Sequence, residues 1–230
     1  MRVLVDRVTS GSLSGTEVSE TNLTSLYAAP APAWLRVNMV STVDGAATGE
    51  DGVTGSVNNP ADRQVFHALR MMADCIVVGA GTARAEGYRP TDRPTVVVSR
   101  RGDLPPHLRG GPPGAVLLAT CSTAPRLAES REVLGADHVL VLGSDTVDLS
   151  SLRGALAERG SRQVLGEGGP HLLGDLLTAG AVDELCATVV PRVVAGDGPR
   201  ITAGAWIDTR LELRLLLEQD STLLGRWFVT

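Results

Sequence analysis

Apolar residues along this chain fall into short unbroken runs, and between several of those runs they recur at helical spacing. LRVNMVST (35–42), CIVVGA (75–80), TVVVS (95–99), AVLLAT (115–120), HVLVL (138–142), QVLGEGG (163–169) and ELCATVVP (184–191) each read as a strand, the sixth running into a turn. Runs this short and this apolar suit strands covered on both faces, as in a parallel sheet. PADRQVFHALRMMA (60–73) carries helix-start chemistry, with Asn59 as N-cap, Pro60 at the first helical position and Asp62 in the first turn. Val65, Leu69 and Met72 give it an apolar stripe, while Arg63 and Arg70 share another face. DLSSLRGALAERG (148–160) predicts a second helix, capped by Asp148, striped by Leu149, Leu152 and Leu156, and stopped at Gly160. PHLLGDLLTAG (170–180) predicts a third, and LELRLLLEQDSTLLGRWFVT (211–230) a closing hairpin around Gln219–Ser221. Strands alternating with helices predict an α/β fold: a mostly parallel central sheet flanked by helices on both faces, with the C-terminal hairpin as an antiparallel edge. Residues 1–33 read as an N-terminal arm, stiffened by APAPA at 29–33, and residues 34–230 as a single domain.

The chain has 230 residues, 43% of them hydrophobic and 20% charged, enough for a substantial core. A net charge of −5 argues against nucleic acid as the partner, because phosphate neutralisation needs a basic excess. No apolar run approaches the roughly 20 residues that span a bilayer, and MRVLVDRVTSG has no signal-peptide core. A cytoplasmic protein with a small-molecule substrate is the expectation. Cys75, Cys121 and Cys186 are odd in number and widely spaced, so they read as small buried apolar residues. His67, His107, His138 and His171 show no metal spacing, and no metal is expected. All 21 basic side chains are arginine, which excludes a Schiff-base lysine.

Ligands on such sheets bind outside the carboxyl ends of the strands, where two glycine-rich turns fall. Gly79-Ala80-Gly81-Thr82 follows the strand at 75–80. Its glycines would let a backbone approach a pyrophosphate, and Thr82 can cap a helix. A dinucleotide fingerprint would place a third glycine at Arg84 and an acid about 20 positions on. The next strand ends instead in Ser99-Arg100-Arg101, a hydroxyl and two guanidiniums suited to a 2′-phosphate. Gly166-Glu167-Gly168-Gly169-Pro170 is a second strand end, with bare amides at a helix start. Each turn alone also reads as a plain strand-to-helix corner; together with the arginine pair they favour NADP. Glu167 points to solvent or faces a second ligand. Asp44, opening the glycine-rich loop DGAATGEDGVTGSVNN (44–59), is a turn residue or an acid beneath a lid that relays a proton. Arg70, on pattern alone, is a solvated charge.

Four segments, Asn38–Gly45 (NMVSTVDG), Leu69–Glu86 (LRMMADCIVVGAGTARAE), Gly166–Leu177 (GEGGPHLLGDLL) and Val182–Gly198 (VDELCATVVPRVVAGDG), resemble in order and spacing the pyrimidine reductase family of riboflavin biosynthesis, the reductase domain of the bifunctional deaminase-reductase, with a dihydrofolate-reductase-like fold. The resemblance implies NADPH as hydride donor and a homodimer. It also implies a 5-amino-6-ribosylamino-pyrimidine 5′-phosphate as substrate, whose ribosyl group becomes ribityl. It assigns Val40, Thr82, Glu86, Ser99 and the turn from Gly169, including Pro170, His171 and Leu172, to the cofactor, joining Gly79, Gly81, Arg100 and Gly168 from the reading of the two turns and the arginine pair. To the substrate it assigns Asn38, Asp44, Thr54, Arg70 and Glu167, with Arg70 on the phosphate and Arg93 or Arg89 standing in for a family arginine. Asp44 is the candidate proton relay and Glu167 its positioner or alternate. Departures are Glu86-Gly87-Tyr88-Arg89-Pro90 in place of Asp-Pro, and Gly55-Ser56 where a lid tryptophan is frequent. The H-x-E and C-x-x-C zinc ligands of the deaminase are missing, so the preceding deamination is not expected of this chain. The alternatives are reduction of dihydrofolate or another pteridine, and a noncatalytic NADP-binding regulatory protein.

Overall fold

The computed structural model describes residues 1–9 and 11–230, those at 20 and 21 by their backbone alone. In chain order the elements are β1 (Arg2–Asp6), α1 (Glu20–Leu26), β2 (Trp34–Thr42), α2 (Pro60–Met72), β3 (Cys75–Gly79), α3 (Ala80–Ala85), β4 (Thr95–Val98) and β5 (Val116–Thr120). They continue as α4 (Leu127–Leu134), β6 (Val139–Val141), α5 (Leu152–Ala157), β7 (Gln163–Gly166), α6 (Pro170–Thr178), β8 (Glu184–Val190), β9 (Leu211–Gln219) and β10 (Thr222–Val229). The ten strands form one sheet in the order β1-β9-β10-β8-β2-β7-β3-β4-β5-β6. From β8 to β6 all neighbours are parallel; β10, β9 and β1 extend the other edge antiparallel. The mostly parallel α/β architecture with an antiparallel C-terminal hairpin is thus the one expected from the pattern.

The parallel strands are apolar because both faces are covered. On one face α5 and α6 pack Leu152, Leu156, Leu172, Leu173 and Leu176 against Leu35, Val37, Val77 and Val96. On the other, α1 and α2 pack Leu23, Leu26, Val65 and Leu69 against Leu165, Leu215 and Leu217. A third cluster joins Ala83 of α3 to Val78, Val97 and Leu118 beside Leu104 and Leu108. The Asn59 side chain accepts from the Asp62 amide at 3.0 Å, so α2 starts as its sequence predicts. Residues 220 and 221 form a two-residue hairpin turn with φ of 50° and 62°, the left-handed pair that matches strand twist, here without glycine. All three cysteines are buried and free.

Several elements differ from the sequence reading. Residues 1–33, read as an arm, place β1 in the sheet beside β9 and bury Leu23, Leu26 and Tyr27 of the α1 segment in the second cluster. Asp148 does not cap a helix. Its carboxylate takes the Ser150 amide and the Ser150 and Ser151 hydroxyls, and α5 starts three residues later than Leu149. The strand at 138–142 shortens to Val139–Val141, because residues 136–138 coil into a 3₁₀ turn. α4, which has no sequence counterpart above, buries only Ser130 among its residues. Among the described residues no helix is long and apolar enough to cross a membrane.

Candidate active site

The loops that leave the carboxyl ends of β2, β3, β4 and β7 converge on one rim of the sheet, as parallel topology requires. They enclose two adjoining cavities, of about 680 and 1230 Å³. Thr82, Gly169, Pro170 and His171 line both, so the cavities meet where the two glycine turns meet. This contact requires Gly169: a methyl group there would strike the Thr82 hydroxyl. The Gly79 amide donates to the Gly168 carbonyl at 2.9 Å, tying the β3 turn to the β7 turn.

The larger cavity has the composition of an anion site. Gly79, Gly81, Ser99, Arg100 and Leu172 line it, as the sequence placed them, together with Arg84 and Arg101. Gly81 has no neighbouring atom within 4 Å of where a side chain would stand, so ligand could approach its backbone closely. α6 begins at Pro170 with Gly169 as a cap that offers no side chain, leaving its first amides to the cavity. Ser99 is buried and its hydroxyl oxygen accepts the Asp103 amide at 2.9 Å, which leaves the hydroxyl proton to donate. Arg101 leans on Asp103, whereas Arg100 makes no ion pair among the described residues. These groups fit a phosphorylated dinucleotide.

The smaller cavity is amphipathic. Asn38, Val40, Thr54, Arg70 and Glu86 line it, with Asp62, Phe66, Tyr88 and Arg89. Arg70 sits over the Phe66 ring at 4.5 Å and donates from Nε and Nη2 to the two Glu167 oxygens, each at 2.6 Å. The Tyr88 hydroxyl donates to the same carboxylate at 2.6 Å. Burial works against the Arg70 cation, but bonding to Glu167 outweighs it and holds its pKa above the ordinary arginine value. Burial, reinforced by Glu167, pushes the Tyr88 phenol well up, so it stays a neutral donor. None of these bonds uses Nη1 of Arg70, which remains for a ligand.

Several expectations need correction. Glu167 faces neither solvent nor a second ligand: its side chain is 2% exposed and lines neither cavity, because Arg70 and Tyr88 occupy its oxygens. Asp44 lies outside both cavities. Its carboxylate accepts the Thr42 hydroxyl and the Val194 and Ala195 amides, and the Thr42 bond, then that of Ala195, holds its pKa below the ordinary carboxylate range. An exposed carboxylate so committed clamps a loop and is a poor proton donor near neutrality. Val40 and Glu86, both assigned to the cofactor, line the smaller cavity, not the larger, and Glu86 accepts the Thr54 amide at 2.7 Å, fastening the 44–59 loop over it. Arg93 points away, donating to the Met71 carbonyl, and Arg89 lines the cavity instead. Gly168 lines neither cavity and acts through its carbonyl.

Asp44→Asn is therefore expected to speed hydrogen exchange at the Val194 and Ala195 amides several-fold, with kcat held within about a factor of two. A collapsed kcat with unchanged amide protection would restore the relay role.

Among the cavity residues that sequence reading missed are Tyr88, Asp62, Phe66, Asn58, Thr48 and Arg84. Phe66 and Asp62 carry a signal only in retrospect, one and two turns before Arg70 on α2. Among the described residues no three His, Cys, Asp or Glu side chains are placed to hold a metal.

Comparison with known proteins agrees with this geometry. The RibD C-terminal domain family model matches residues 33–223. A reductase of Methanothermobacter thermautotrophicus, named for 2,5-diamino-6-ribosylamino-4(3H)-pyrimidinone 5′-phosphate, is 32% identical over 81% of this chain and 92% of its own. The riboflavin biosynthesis protein RibD of Mycobacterium tuberculosis is 31% identical over 68% of this chain and 41% of its own. In fold, the chain is similar to the crystal structure of a pyrimidine reductase-like protein from Corynebacterium diphtheriae, with a TM-score of 0.76 and 24% identity over 93% of this chain and 99% of that one. On the family match and on the identity with the archaeal reductase, the chain belongs to the RibD C-terminal domain family, the reductases of riboflavin biosynthesis.

Proposed function

We propose that this chain is an NADPH-dependent reductase that converts the ribosyl group of a 5-amino-6-ribosylamino-pyrimidine 5′-phosphate to a ribityl chain, as a cytoplasmic homodimer. The observation that carries the reading is the junction of the two cavities at Thr82, Gly169, Pro170 and His171. One cavity ends in Ser99, Arg100 and Arg101; the other holds Arg70 in a fixed pose. NADPH, when bound, supplies a hydride to C1′ of the ring-opened imine, and the imine nitrogen gains the balancing proton. The α6 amides and the Gly81 backbone would hold its pyrophosphate, and Ser99 with Arg100 its 2′-phosphate. Arg70, oriented by Glu167 and Tyr88, would hold the substrate phosphate through Nη1. Val40 and the Glu86-fastened loop would exclude water from the smaller cavity. Holding two reactants across one narrow junction is the main catalytic contribution of such a site.

The test is a titration of the protein with NADPH and NADH, with and without Arg100→Asp. The wild type is expected to favour NADPH. The variant is expected to lose about tenfold to a hundredfold in NADPH affinity, the worth of a charge-assisted hydrogen bond, and to change little toward NADH. Equal binding of the two cofactors by the wild type would remove the basis for the 2′-phosphate site. Turnover with the ribosylamino-pyrimidine phosphate, set against dihydrofolate, decides the substrate.

A further inference from the structure

The connection from β8 to β9, residues 191–210, contains neither strand nor helix, and so long a structureless stretch inside a compact domain is usually functional. It is tied in two directions. Toward the 44–59 loop, it takes the Ala47 amide on the Pro199 carbonyl at 2.7 Å, gives Arg192 Nη1 to the Ser56 carbonyl, and gives the Val194 and Ala195 amides to Asp44. Toward α6, the Ala203 amide donates to the Pro170 carbonyl at 3.1 Å. The connection is therefore a strap between the loop over the smaller cavity and the first turn of α6. Pro199 and Ala203 line the smaller cavity themselves, whereas Asp175, Thr178 and Ala179 at the far side of α6 line only the larger one.

Gly174 decides how the strap sits. Glycine inside a helix is disfavoured against alanine, yet Gly174 stands in the middle of α6. It is buried, and a methyl group there would strike the Ala203 carbonyl oxygen. That obstacle is backbone, which no side-chain rotation relieves, so a β-carbon at 174 pushes the strap and α6 apart. Gly174 itself lines neither cavity.

Seating of the strap and binding of an anion favour each other. With Ala203 bonded to Pro170, the first turn of α6 is held in place and its free amides form a cradle for phosphate. Phosphate on those amides in turn fixes the residue that receives Ala203. The same strap holds the 44–59 loop through Ala47 and Ser56, so the seated state is also the one with that loop over the smaller cavity. Building on the reductase reading above, we infer that Gly174 is a positioning residue: the strap it seats carries occupancy of the larger cavity to the 44–59 loop, so that a phosphorylated adenine nucleotide tightens substrate binding in the smaller cavity. By linkage, substrate tightens the nucleotide by the same factor.

The probe for the larger cavity is 2′-phospho-ADP-ribose, which has the phosphates of NADPH but no nicotinamide, so it neither reduces the substrate nor touches it across the junction. Calorimetry measures binding of the ribosylamino-pyrimidine phosphate with and without this probe, and hydrogen exchange follows the Ala47 and Ala203 amides. In the wild type the probe is expected to tighten substrate binding at least about fivefold and to slow exchange at both amides several-fold. In Gly174→Ala both effects are expected to shrink to within about twofold, and with saturating NADPH the substrate KM is expected to rise about fivefold while kcat stays within about twofold. A glycine that serves the fold alone would change the melting temperature and leave the coupling intact. Undiminished coupling in Gly174→Ala, or none in the wild type, overturns the inference, while turnover of the substrate keeps the reductase reading. If Gly174→Ala does not fold, Ala203→Pro carries the test, because it deletes the amide that Pro170 receives and leaves α6 unaltered; unchanged coupling there overturns the inference. If the substrate does not bind but the probe protects Ala47 in the wild type and not in the variant, the strap's role stands and only the assigned substrate falls. A wild type that does not bind the probe overturns both readings.

Discussion

Arg70→Ala is expected to lower stability by about 3 kcal/mol and kcat/KM by about a hundredfold or more. The stability loss comes from Glu167. Its side chain is 2% exposed and takes two 2.6 Å bonds from Arg70 and one from Tyr88. Without the guanidinium, a buried anion keeps only a phenol donor, and an uncompensated buried charge costs far more than the pair contributes. The activity loss has a different origin, since Arg70 lines the smaller cavity and its Nη1 takes no part in the bonds to Glu167. The two effects separate in the double variant. Glu167→Gln in the Arg70→Ala background removes the stranded charge, so melting temperature is expected to recover while kcat/KM stays low. Recovery of both together would show that Arg70 serves the fold alone.

What the chain reveals in one dimension follows from how local each feature is. β3 and β5 are legible because burial on both faces makes almost every position apolar. α4 is not, because it covers the sheet rim with Ser130 as its one buried residue, so no apolar stripe marks it. The glycine turns are legible, since a bare backbone at a strand end is itself the anion-binding device. Glu167 is misread because its partner Arg70 lies 97 residues away, on α2. Asp62 is passed over for the opposite reason: an acid in a helix's first turn has an ordinary explanation in the helix dipole. Asp44 illustrates the same limit from the other side, because Val194 and Ala195, whose amides bond its carboxylate, come from a loop about 150 residues on.

Glu184→Ala is expected to lower stability by about 3–5 kcal/mol, and the melting temperature by about 6–20 °C. Glu184 is fully buried, and one of its oxygens takes Trp34 Nε1 at 2.7 Å, Arg226 at 3.0 Å and Arg36 at 3.3 Å. Removing it leaves two arginines of 1% and 5% exposure without an anion. Those arginines have a second duty. Arg36 donates to the Tyr27 carbonyl, and Arg226 to the carbonyls of Leu26 and Ala28, so they hold the end of α1 against β2 and β10. An apolar triple variant, Arg36→Met, Glu184→Leu and Arg226→Met, distinguishes charge balance from clamping. Well-packed apolar triads can match buried ionic ones in stability, so urea denaturation is expected to show a core near wild-type strength. The carbonyls at 26–28 would still lack their donors, and protease cutting within residues 1–33 is expected to rise. If instead the triple variant protects that segment as the wild type does, apolar packing of Leu23, Leu26 and Tyr27 suffices to hold it, and the arginines serve only to neutralise Glu184.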